Sequence, residues 1–189
     1  HTLEVVQARH GEEIHKQFGV EIIVPECPFP RITMAEVLEQ LAAAGYELPP
    51  EKAGDLDPQG ERLLGEWVHQ KYGHEFVFLT NWPIAVRPFY HMRFEETPHL
   101  TKSFDLLWKG LEITTGAQRE HRLDRLETQA KEKKLNLETL AFYLNFFQYG
   151  CPPHGGYGFG LARMLMVMLD LPNLRETTLL PRTPNRLHP

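Results

Sequence analysis

The chain has 189 residues, of which 42% are hydrophobic and 24% are charged, a composition typical of one globular domain with enough apolar material for a core. Its formal net charge of -5 argues against a protein whose main task is non-specific adhesion to nucleic acid. The sequence has no apolar run long enough to cross a bilayer and does not open with the basic-then-apolar layout of a signal peptide. We therefore expect a cytoplasmic protein without a membrane partner.

The first residue bears on the extent of the domain, and the cysteine content bears on the redox compartment. The chain begins with His1 instead of methionine, and its first segment already reads like the interior of a domain, so we expect an N-terminal portion to precede it. Cys27 and Cys151 are too few and too far apart for a disulfide framework, which fits a reducing compartment. The histidines form no HExxH pattern and no closely spaced Cys/His set, so they do not predict a zinc site.

Helical spacing of apolar residues predicts three helices in the first part of the chain, over residues 3–18, 33–44 and 60–72. Thr33 is a candidate N-cap of the second helix, and Glu36 stands three residues later as its capping-box partner. The proline-rich run between the first two helices predicts an ordered loop.

Segments dense in aromatic and β-branched residues predict strands over residues 76–80, 88–92, 103–108 and 111–115. A helical stretch follows over residues 126–149, with a break where Asn136 can cap a second helix. A glycine-alternating strand then leads into residues 161–169, which are apolar almost all round and so predict a buried helix. Strands joined partly by hairpins and set beside long helices predict an α+β fold, an antiparallel sheet with helices packed on it.

The glycines of the last strand alternate at Gly156, Gly158 and Gly160, so one face of this strand carries no side chains. Such a row marks a place where a flat group or another backbone comes close. Arg163 follows, and a guanidinium can stack on an aromatic ring such as adenine. From these residues alone, an adenine site and a structural ion pair of Arg163 are equally favoured.

An acidic hairpin is the second candidate site. Lys109 and Gly110 separate two predicted strands at a length suited to a two-residue turn, which pairs Leu107 with Glu112. Asp105 then lies diagonally from Glu112 on the same face. Two carboxylates on an otherwise apolar hairpin suit Mg²⁺, which prefers one or two protein carboxylates plus waters and phosphates. A solvated or ion-paired acid pair is the alternative, and without further information it is the commoner case.

Several runs of the sequence resemble archaeal-type aspartyl-tRNA synthetases, in the order in which that family has them. The run from Gly156 to Arg163, with the sequence Gly-Tyr-Gly-Phe-Gly-Leu-Ala-Arg, is similar to the third, ATP-binding motif of class II aminoacyl-tRNA synthetases. The other runs that carry the resemblance are residues 28–33, 87–90, 103–107, 110–119, 149–155, 171–176 and 180–182. Together they extend over nearly the whole chain.

The resemblance implies the class II catalytic sheet, activation of aspartate by ATP with Mg²⁺, transfer of the aspartyl group to the 3′ end of tRNA, and a homodimer. It places residues 1–189 in the C-terminal half of the catalytic domain, with the anticodon-binding barrel and the first two motifs before them. We therefore expect this part to be inactive alone. The choice between aspartate tRNA and asparagine tRNA rests largely on anticodon contacts outside this chain.

The resemblance also assigns roles to single residues. Glu112 and Thr115 match residues that bind the metal ion and ATP, and Asp105 is a supporting metal ligand. Arg119, together with Thr115, matches the pocket for the aspartate side chain, and Arg163 and Glu112 are the catalytic pair. ATP also contacts the end of the glycine strand and the start of the next helix, at Gly158, Gly160, Leu161 and Ala162. Two positions depart from the family: Ala162 stands where an acidic residue is frequent, and Glu120 where an aliphatic one is.

These roles conflict with a regular strand. Strict alternation puts Thr115 and Arg119 on the opposite face from Glu112. If the roles hold, a bulge or turn near Thr115 and Gly116 must reset the facing. An unbroken strand over residues 111–119 would contradict them.

Two other functions stay open. An ATP-dependent asparagine synthetase related to the family would form the same adenylate and pass it to ammonia, and a non-catalytic synthetase-like module would bind a nucleotide or a partner. We expect Arg87 to be an exposed residue of a core strand rather than a pocket residue. The basic residues of 119–134 are interleaved with acids, so they predict a solvated helical face rather than a tRNA-binding track.

Overall fold

One five-stranded sheet organises the computed structural model, which describes residues 1–188. The strands lie across the sheet in chain order: β1 Arg31–Thr33, β2 Phe76–Thr80, β3 Ser103–Trp108, β4 Leu111–Arg119 and β5 His154–Phe159. β1 runs parallel to β2, and the remaining neighbours pair antiparallel. The α+β prediction is confirmed, with the addition of one parallel strand at the edge of a mostly antiparallel sheet.

Residues 1–188 also contain six α-helices: α1 Thr2–Phe18, α2 Met34–Ala43, α3 Pro58–Tyr72, α4 Leu123–Glu132, α5 Leu137–Leu144 and α6 Leu161–Met168. The predicted capping box is present at α2, where the N–H of Glu36 donates to Thr33 Oγ1 over 3.3 Å and the N–H of Thr33 donates to the Glu36 carboxylate over 2.9 Å. Among these helices, none is long and apolar enough to cross a membrane.

The helical stretch predicted over residues 126–149 is divided, as expected, near Asn136. Its side chain accepts a hydrogen bond of 2.9 Å from the N–H of Glu138 and so begins α5. A 3₁₀ helix, Asn145–Tyr149, follows α5 and ends at Gly150, whose φ of 85° is in the left-handed region that glycine adopts readily.

The strand predicted over residues 88–92 is wrong. The N–H of His91 donates back to the carbonyl of Pro88 over 3.2 Å, which makes a turn, and His91 forms only an isolated bridge with Arg119. Proline has no N–H to contribute to a strand ladder. The aromatic residues of this segment instead pack on the apolar cluster of α4 and α5, so burial rather than strand formation accounts for the composition.

Each face of the sheet has its own apolar cluster, because side chains alternate along a strand. On one face, Val77, Leu79 and Leu107 pack with residues of α2 and α3. On the other face, Phe76 and Trp108 pack with residues of α1 and α6. The candidate site lies on the first face, on the part of β3, β4 and β5 beyond this cluster.

α6 is less buried than its sequence predicts. Met164 and Met168 are buried against the sheet, but Leu161 is 61% exposed. The helix packs with one side on the sheet, and its other side lines an open groove together with α1. The expectation of a helix buried on all sides is therefore wrong for the described residues.

The turn between β3 and β4 has a conformation that suits Gly110 and a close contact that requires Gly65. Lys109 and Gly110 both have positive φ, 51° and 74°, as the predicted two-residue turn requires. Gly65 of α3 lies against this turn, where an added Cβ would come within 2.7 Å of the Gly110 backbone nitrogen. α3 and the hairpin therefore approach at backbone distance, and this approach brings the start of α3 close to Glu112.

Candidate active site

A β-bulge in β4 decides which side chains face the site. Leu107 pairs with Glu112, as predicted, whereas Asp105 pairs with Thr115, so β4 has one extra residue between these pairs. The extra residue is Ile113, which is 3% exposed and packs in the cluster of α6. The bulge that the family roles require is present, but it lies closer to the hairpin turn than predicted, because the apolar side chain of Ile113 stays in the core.

The consequence is a single functional face. Beyond the bulge, Thr115 and Arg119 point to the same side as Asp105 and Glu112. β5 continues this face, since Gly158 pairs with Thr115 in the adjacent register. The structure thus brings the residues predicted for metal, aspartate and ATP onto one side of three neighbouring strands.

Arg87 lies at the centre of this face. Its Nη2 donates to Asp105 Oδ2 over 2.5 Å, its Nη1 donates to Thr115 Oγ1 over 3.3 Å, and its guanidinium stacks 3.9 Å from the Trp82 ring centre. The side chains of Arg87 and Asp105 are only 12% and 4% exposed. The expectation that Arg87 is an exposed strand residue is therefore wrong: it is a buried partner of two predicted site residues.

Arg119 forms the neighbouring cationic group. Its guanidinium stacks on the Tyr90 ring at 4.8 Å, and its Nη2 donates to the carbonyl of Gly156 over 3.4 Å. The long distance leaves this hydrogen bond weak. A guanidinium held on a ring face but weakly hydrogen-bonded can offer its N–H fork to a carboxylate.

Glu112 and Arg163 form the other end of the site. Arg163 Nη1 donates to the carbonyl of Glu112 over 2.8 Å and to its Oε1 over 3.1 Å. Burial and the charge of Asp105 raise the pKa of Glu112, whereas Arg163 and Arg87 oppose that rise. Both members of the pair stay partly open, at 30% and 45% side-chain exposure. The ion pair of Arg163 is thus observed, and its exposed guanidinium remains accessible to a ring above β5.

Glu61, at the start of α3, completes the acidic end. Burial and the nearby charges of Glu112 and Asp105 raise its pKa to about 7, although Arg163 partly offsets them. The close approach of α3 to the hairpin turn places it there. Sequence reasoning missed Glu61, because nothing in a helical pattern shows which turn of the helix meets a site.

His91 is the second residue that sequence reasoning missed. It is 4% exposed, and burial together with the positive charges of Arg119 and Arg87 lowers its pKa to about 4. Its ring is therefore neutral at physiological pH. Gln129 of α4 holds this segment, since its Nε2 donates to the carbonyls of Phe89 and His91.

The glycine strand differs in one detail from its prediction. Gly156 and Gly158 lie on the site face, opposite Ala117 and Thr115. An added Cβ at Gly158 would meet no atom within 4 Å, so the strand leaves open space above it. Gly160 lies beyond β5 as the N-cap of α6, where its N–H donates to the carbonyl of Ile113 over 2.7 Å. The position of Gly160 is therefore set by the junction between β5 and α6.

Oxygen atoms that could bind a metal ion are present at Glu112, Thr115 and Asp105, although Arg87 already donates hydrogen bonds to Thr115 Oγ1 and Asp105 Oδ2. The residues that the structure describes contain no group of three or more acidic, histidine or cysteine side chains arranged to hold a metal by themselves. Mg²⁺ does not need such a group, because it commonly takes one or two carboxylates and completes its shell with water and substrate phosphates. The donor set therefore fits Mg²⁺ bound together with a nucleotide better than a metal held by protein alone.

The fold and the site together define a type of protein: a mostly antiparallel sheet whose open face carries a guanidinium pocket beside a carboxylate–arginine pair and a bare glycine strand. This layout suits one ligand with a carboxylate at one end and a flat ring at the other. A family model described as tRNA synthetases class II (D, K and N) matches residues 3–184, and the chain belongs to this family.

Two individual proteins with an aspartate-specific name are similar to the chain over nearly all of its residues. Over 189 residues the chain is 44% identical to the aspartate–tRNA(Asp) ligase of Pyrococcus abyssi, covering 100% of this chain and 42% of that protein. The aspartyl-tRNA synthetase structure of Entamoeba histolytica superimposes with a TM-score of 0.90 at 37% identity, over 99% of this chain and 39% of that one.

An asparaginyl enzyme is also similar. The Entamoeba histolytica asparaginyl-tRNA synthetase in complex with asparaginyl-adenylate gives a TM-score of 0.85 at 31% identity, over 99% of this chain and 42% of that one. The chain spans less than half the length of each of these relatives.

Proposed function

We propose that the complete protein is an ATP-dependent aspartate–tRNA ligase, which activates aspartate to aspartyl-adenylate and transfers it to the 3′ end of tRNA. The observation that carries this proposal is the bulge at Ile113, which puts Glu112, Thr115 and Arg119 on the face that β5 continues. The similarity to aspartate–tRNA ligases supports it.

The amino acid occupies the guanidinium end of the site. Arg119 binds the side-chain carboxylate of aspartate through its N–H fork. The amide of asparagine gains less, because it carries no negative charge and offers the N–H fork one acceptor oxygen and an NH₂ donor, whereas a carboxylate offers two acceptor oxygens. Thr115 lies beside Arg87 and contributes its hydroxyl to the same pocket. The site therefore favours aspartate.

ATP lies along β5 towards α6. Arg163 stacks on adenine, Gly158 leaves room for the nucleotide, and the backbone at Gly160, Leu161 and Ala162 lines its edge. The α-carboxylate of aspartate attacks the α-phosphorus of ATP, a phosphorus–oxygen bond forms, and pyrophosphate leaves. No general base is needed, because this carboxylate is already ionised at neutral pH. The terminal ribose hydroxyl of tRNA then attacks the activated carbonyl, and AMP leaves.

Mg²⁺ is the proposed metal, held by Glu112 and Thr115 with Asp105 in support. Bound there, it would neutralise the negative charge of the phosphates and of the departing pyrophosphate. The residues of the site position the two reactants and stabilise developing charge, and both effects accelerate the formation of the adenylate. The raised pKa of Glu112 is consistent with a carboxylate that gains a cationic partner on binding.

The partners and the place of these residues in the whole protein are proposals of the same kind. The names of the similar proteins support tRNA as the second substrate. We propose that residues 1–189 supply the C-terminal half of the catalytic domain, and that the protein acts as a homodimer, as the family resemblance implies.

Aspartate-dependent exchange of pyrophosphate into ATP, measured on the complete protein, tests the proposal. We expect exchange with aspartate and Mg²⁺, loss of exchange when the metal is removed with a chelator, and restoration when Mg²⁺ is added back. Charging of total tRNA with labelled aspartate tests the second step. No exchange, or exchange with another amino acid only, would overturn the assignment.

A further inference from the structure

His91 belongs to the wall that holds Arg119. The two residues are direct partners in an antiparallel bridge, so their side chains leave the paired backbones on the same side. The His91 ring lies 5.2 Å from the Tyr90 ring, centre to centre, and Arg119 stacks on that same Tyr90 ring. Imidazole, phenol and guanidinium therefore form one packed group.

The backbone of His91 is fixed independently of its ring. Its carbonyl accepts a hydrogen bond of 3.2 Å from Gln129 Nε2, and its N–H donates to the carbonyl of Pro88. Gln129 is itself buried, at 5% exposure. A substitution that changes only the ring therefore leaves these main-chain contacts in place.

The hydrogen-bonding capacities of His91 and Arg119 are complementary: among the described residues, His91 has an unpartnered nitrogen, and Arg119 uses its N–H donors only in part. Within residues 1–188, His91 Nδ1 is buried and has no hydrogen-bond partner. A buried polar atom without a partner is unfavourable and calls for an explanation. Arg119 carries five N–H donors, and the hydrogen bond it makes to Gly156 is 3.4 Å long. A neutral imidazole protonated on Nε2 presents an acceptor at Nδ1.

We propose that His91 is a positioning residue for Arg119. When the side-chain carboxylate of aspartate binds, Arg119 turns away from the Gly156 carbonyl and donates one N–H to His91 Nδ1. The remaining N–H groups then face the carboxylate in a fixed orientation, which a bidentate contact requires. This inference rests on the proposed function, because it takes Arg119 as the group that binds the carboxylate.

Two substitutions separate the polar role from packing. His91→Asn retains an oxygen acceptor near the place of Nδ1 but loses the ring, and His91→Phe retains the ring but loses the acceptor. For His91→Phe we expect the KM for aspartate to rise about 10- to 100-fold, the range expected for losing a hydrogen bond to a charged group. We expect less than about a threefold rise for His91→Asn, and an unchanged KM for ATP in both variants.

His121→Asn is the matched control. His121 Nδ1 is also buried without a partner in the described part of the chain, but it lies near Glu120 rather than in the aspartate pocket. We expect its KM values for aspartate and ATP to equal those of the unmodified protein. Thermal unfolding of all three variants verifies that they are folded.

Each remaining outcome counts against the inference. His91→Phe with an unchanged KM for aspartate, or His91→Asn impaired as strongly as His91→Phe, would overturn it, and so would a parallel rise in the KM for ATP. The proposed function fails separately. If the unmodified protein shows no exchange but binds aspartate in calorimetry, the proposed reaction is wrong, and the same variants test His91 through the dissociation constant of aspartate. If aspartate does not bind at all, both proposals are overturned.

Discussion

Arg87 and Asp105 form the most buried ion pair of the site, with 12% and 4% of their side chains exposed. Such a pair does not by itself imply a stabilising interaction, because both charges lose their hydration. Removing one partner is nevertheless expensive, since it leaves the other charge buried and uncompensated. The charges of Arg87 and Asp105 therefore depend on one another: each can stay buried only while the other compensates it.

Replacing Arg87 tests this dependence. We expect Arg87→Met to lower the free energy of unfolding by about 3–5 kcal/mol, because the Asp105 carboxylate then has no cationic partner. Asp105→Asn in the Arg87→Met background should recover part of that loss, since a neutral amide costs less to bury. Urea unfolding of the single and double variants measures both effects. A loss below about 1 kcal/mol for Arg87→Met would contradict the buried charge pair.

Gly158 gives a test of the open face of β5. An added side chain meets no atom within 4 Å, so Gly158→Leu should fold normally and project into the space assigned to ATP. We expect the KM for ATP to rise at least about tenfold, with little change in the KM for aspartate. Steady-state exchange kinetics at varied ATP measure this. An unchanged KM for ATP would place the nucleotide elsewhere.

The pH dependence of stability tests the burial of His91. Its pKa in the folded protein, about 4, is below the ordinary value of 6.5, so the folded state binds fewer protons than the unfolded state between these limits. The contribution of neutral, buried His91 to the free energy of unfolding is present above pH 6.5 and is lost as the pH falls towards 4. It amounts to about 3 kcal/mol at roughly 1.4 kcal/mol per pKa unit. His91→Asn should therefore lose less stability than the unmodified protein between pH 7 and pH 4 in urea titrations, and parallel losses would contradict the lowered pKa.

At the scale of elements, two features position the site: the bulge at Ile113 and the contact between α3 and the turn of the hairpin. The bulge sets which residues of β4 face the ligand. The contact depends on Gly65 and Gly110, whose backbones meet where a Cβ would collide. Helix and hairpin are thus held in one relative position without side chains between them.

Gly65→Ala should disrupt that contact. The new methyl would lie 2.7 Å from the Gly110 nitrogen, so α3 or the hairpin must shift, and we expect a destabilisation of about 1–3 kcal/mol. Gly11→Ala is the matched control, because Gly11 also lies within a helix but an added Cβ there would meet only Gln7 Cγ, at an ordinary contact distance of 3.9 Å. Alanine there should stabilise the protein by about 0.5–1 kcal/mol. Equal effects in the two thermal unfolding experiments would contradict the close packing.

The sequence predicted local features well and long-range ones less well. The capping box of Thr33 and the turn at Lys109 depend on residues close in sequence, and both are confirmed. A bulge is predicted because strict alternation would put Thr115 and Arg119 on the opposite face from Glu112. Its position, however, depends on whether Ile113 enters the core, which is a tertiary effect. Arg87 was predicted as exposed because its partner, Asp105, lies 18 residues away. The prediction of a strand over residues 88–92 is also wrong because of contacts with residues distant in sequence: its aromatic residues are buried by α4 and α5 rather than by a sheet.

At the scale of the whole molecule, the sheet presents one organised face that runs from Arg119 to Arg163. The chain is similar over its full length to aspartate–tRNA ligases that are more than twice as long. Its exposed Tyr157, at 69%, and Leu161, at 61%, lie at the outer strand and the start of α6.

We propose that one face of the sheet binds both ends of an aspartyl-adenylate. A crystal structure of the complete protein with a non-hydrolysable aspartyl-adenylate analogue tests it most directly. We expect the side-chain carboxylate within hydrogen-bonding distance of Arg119, the adenine stacked on Arg163, and the nucleotide passing over Gly158. An analogue bound in the same protein away from β4 and β5, or bound with its carboxylate at Arg163 and its adenine at Arg119, would contradict it.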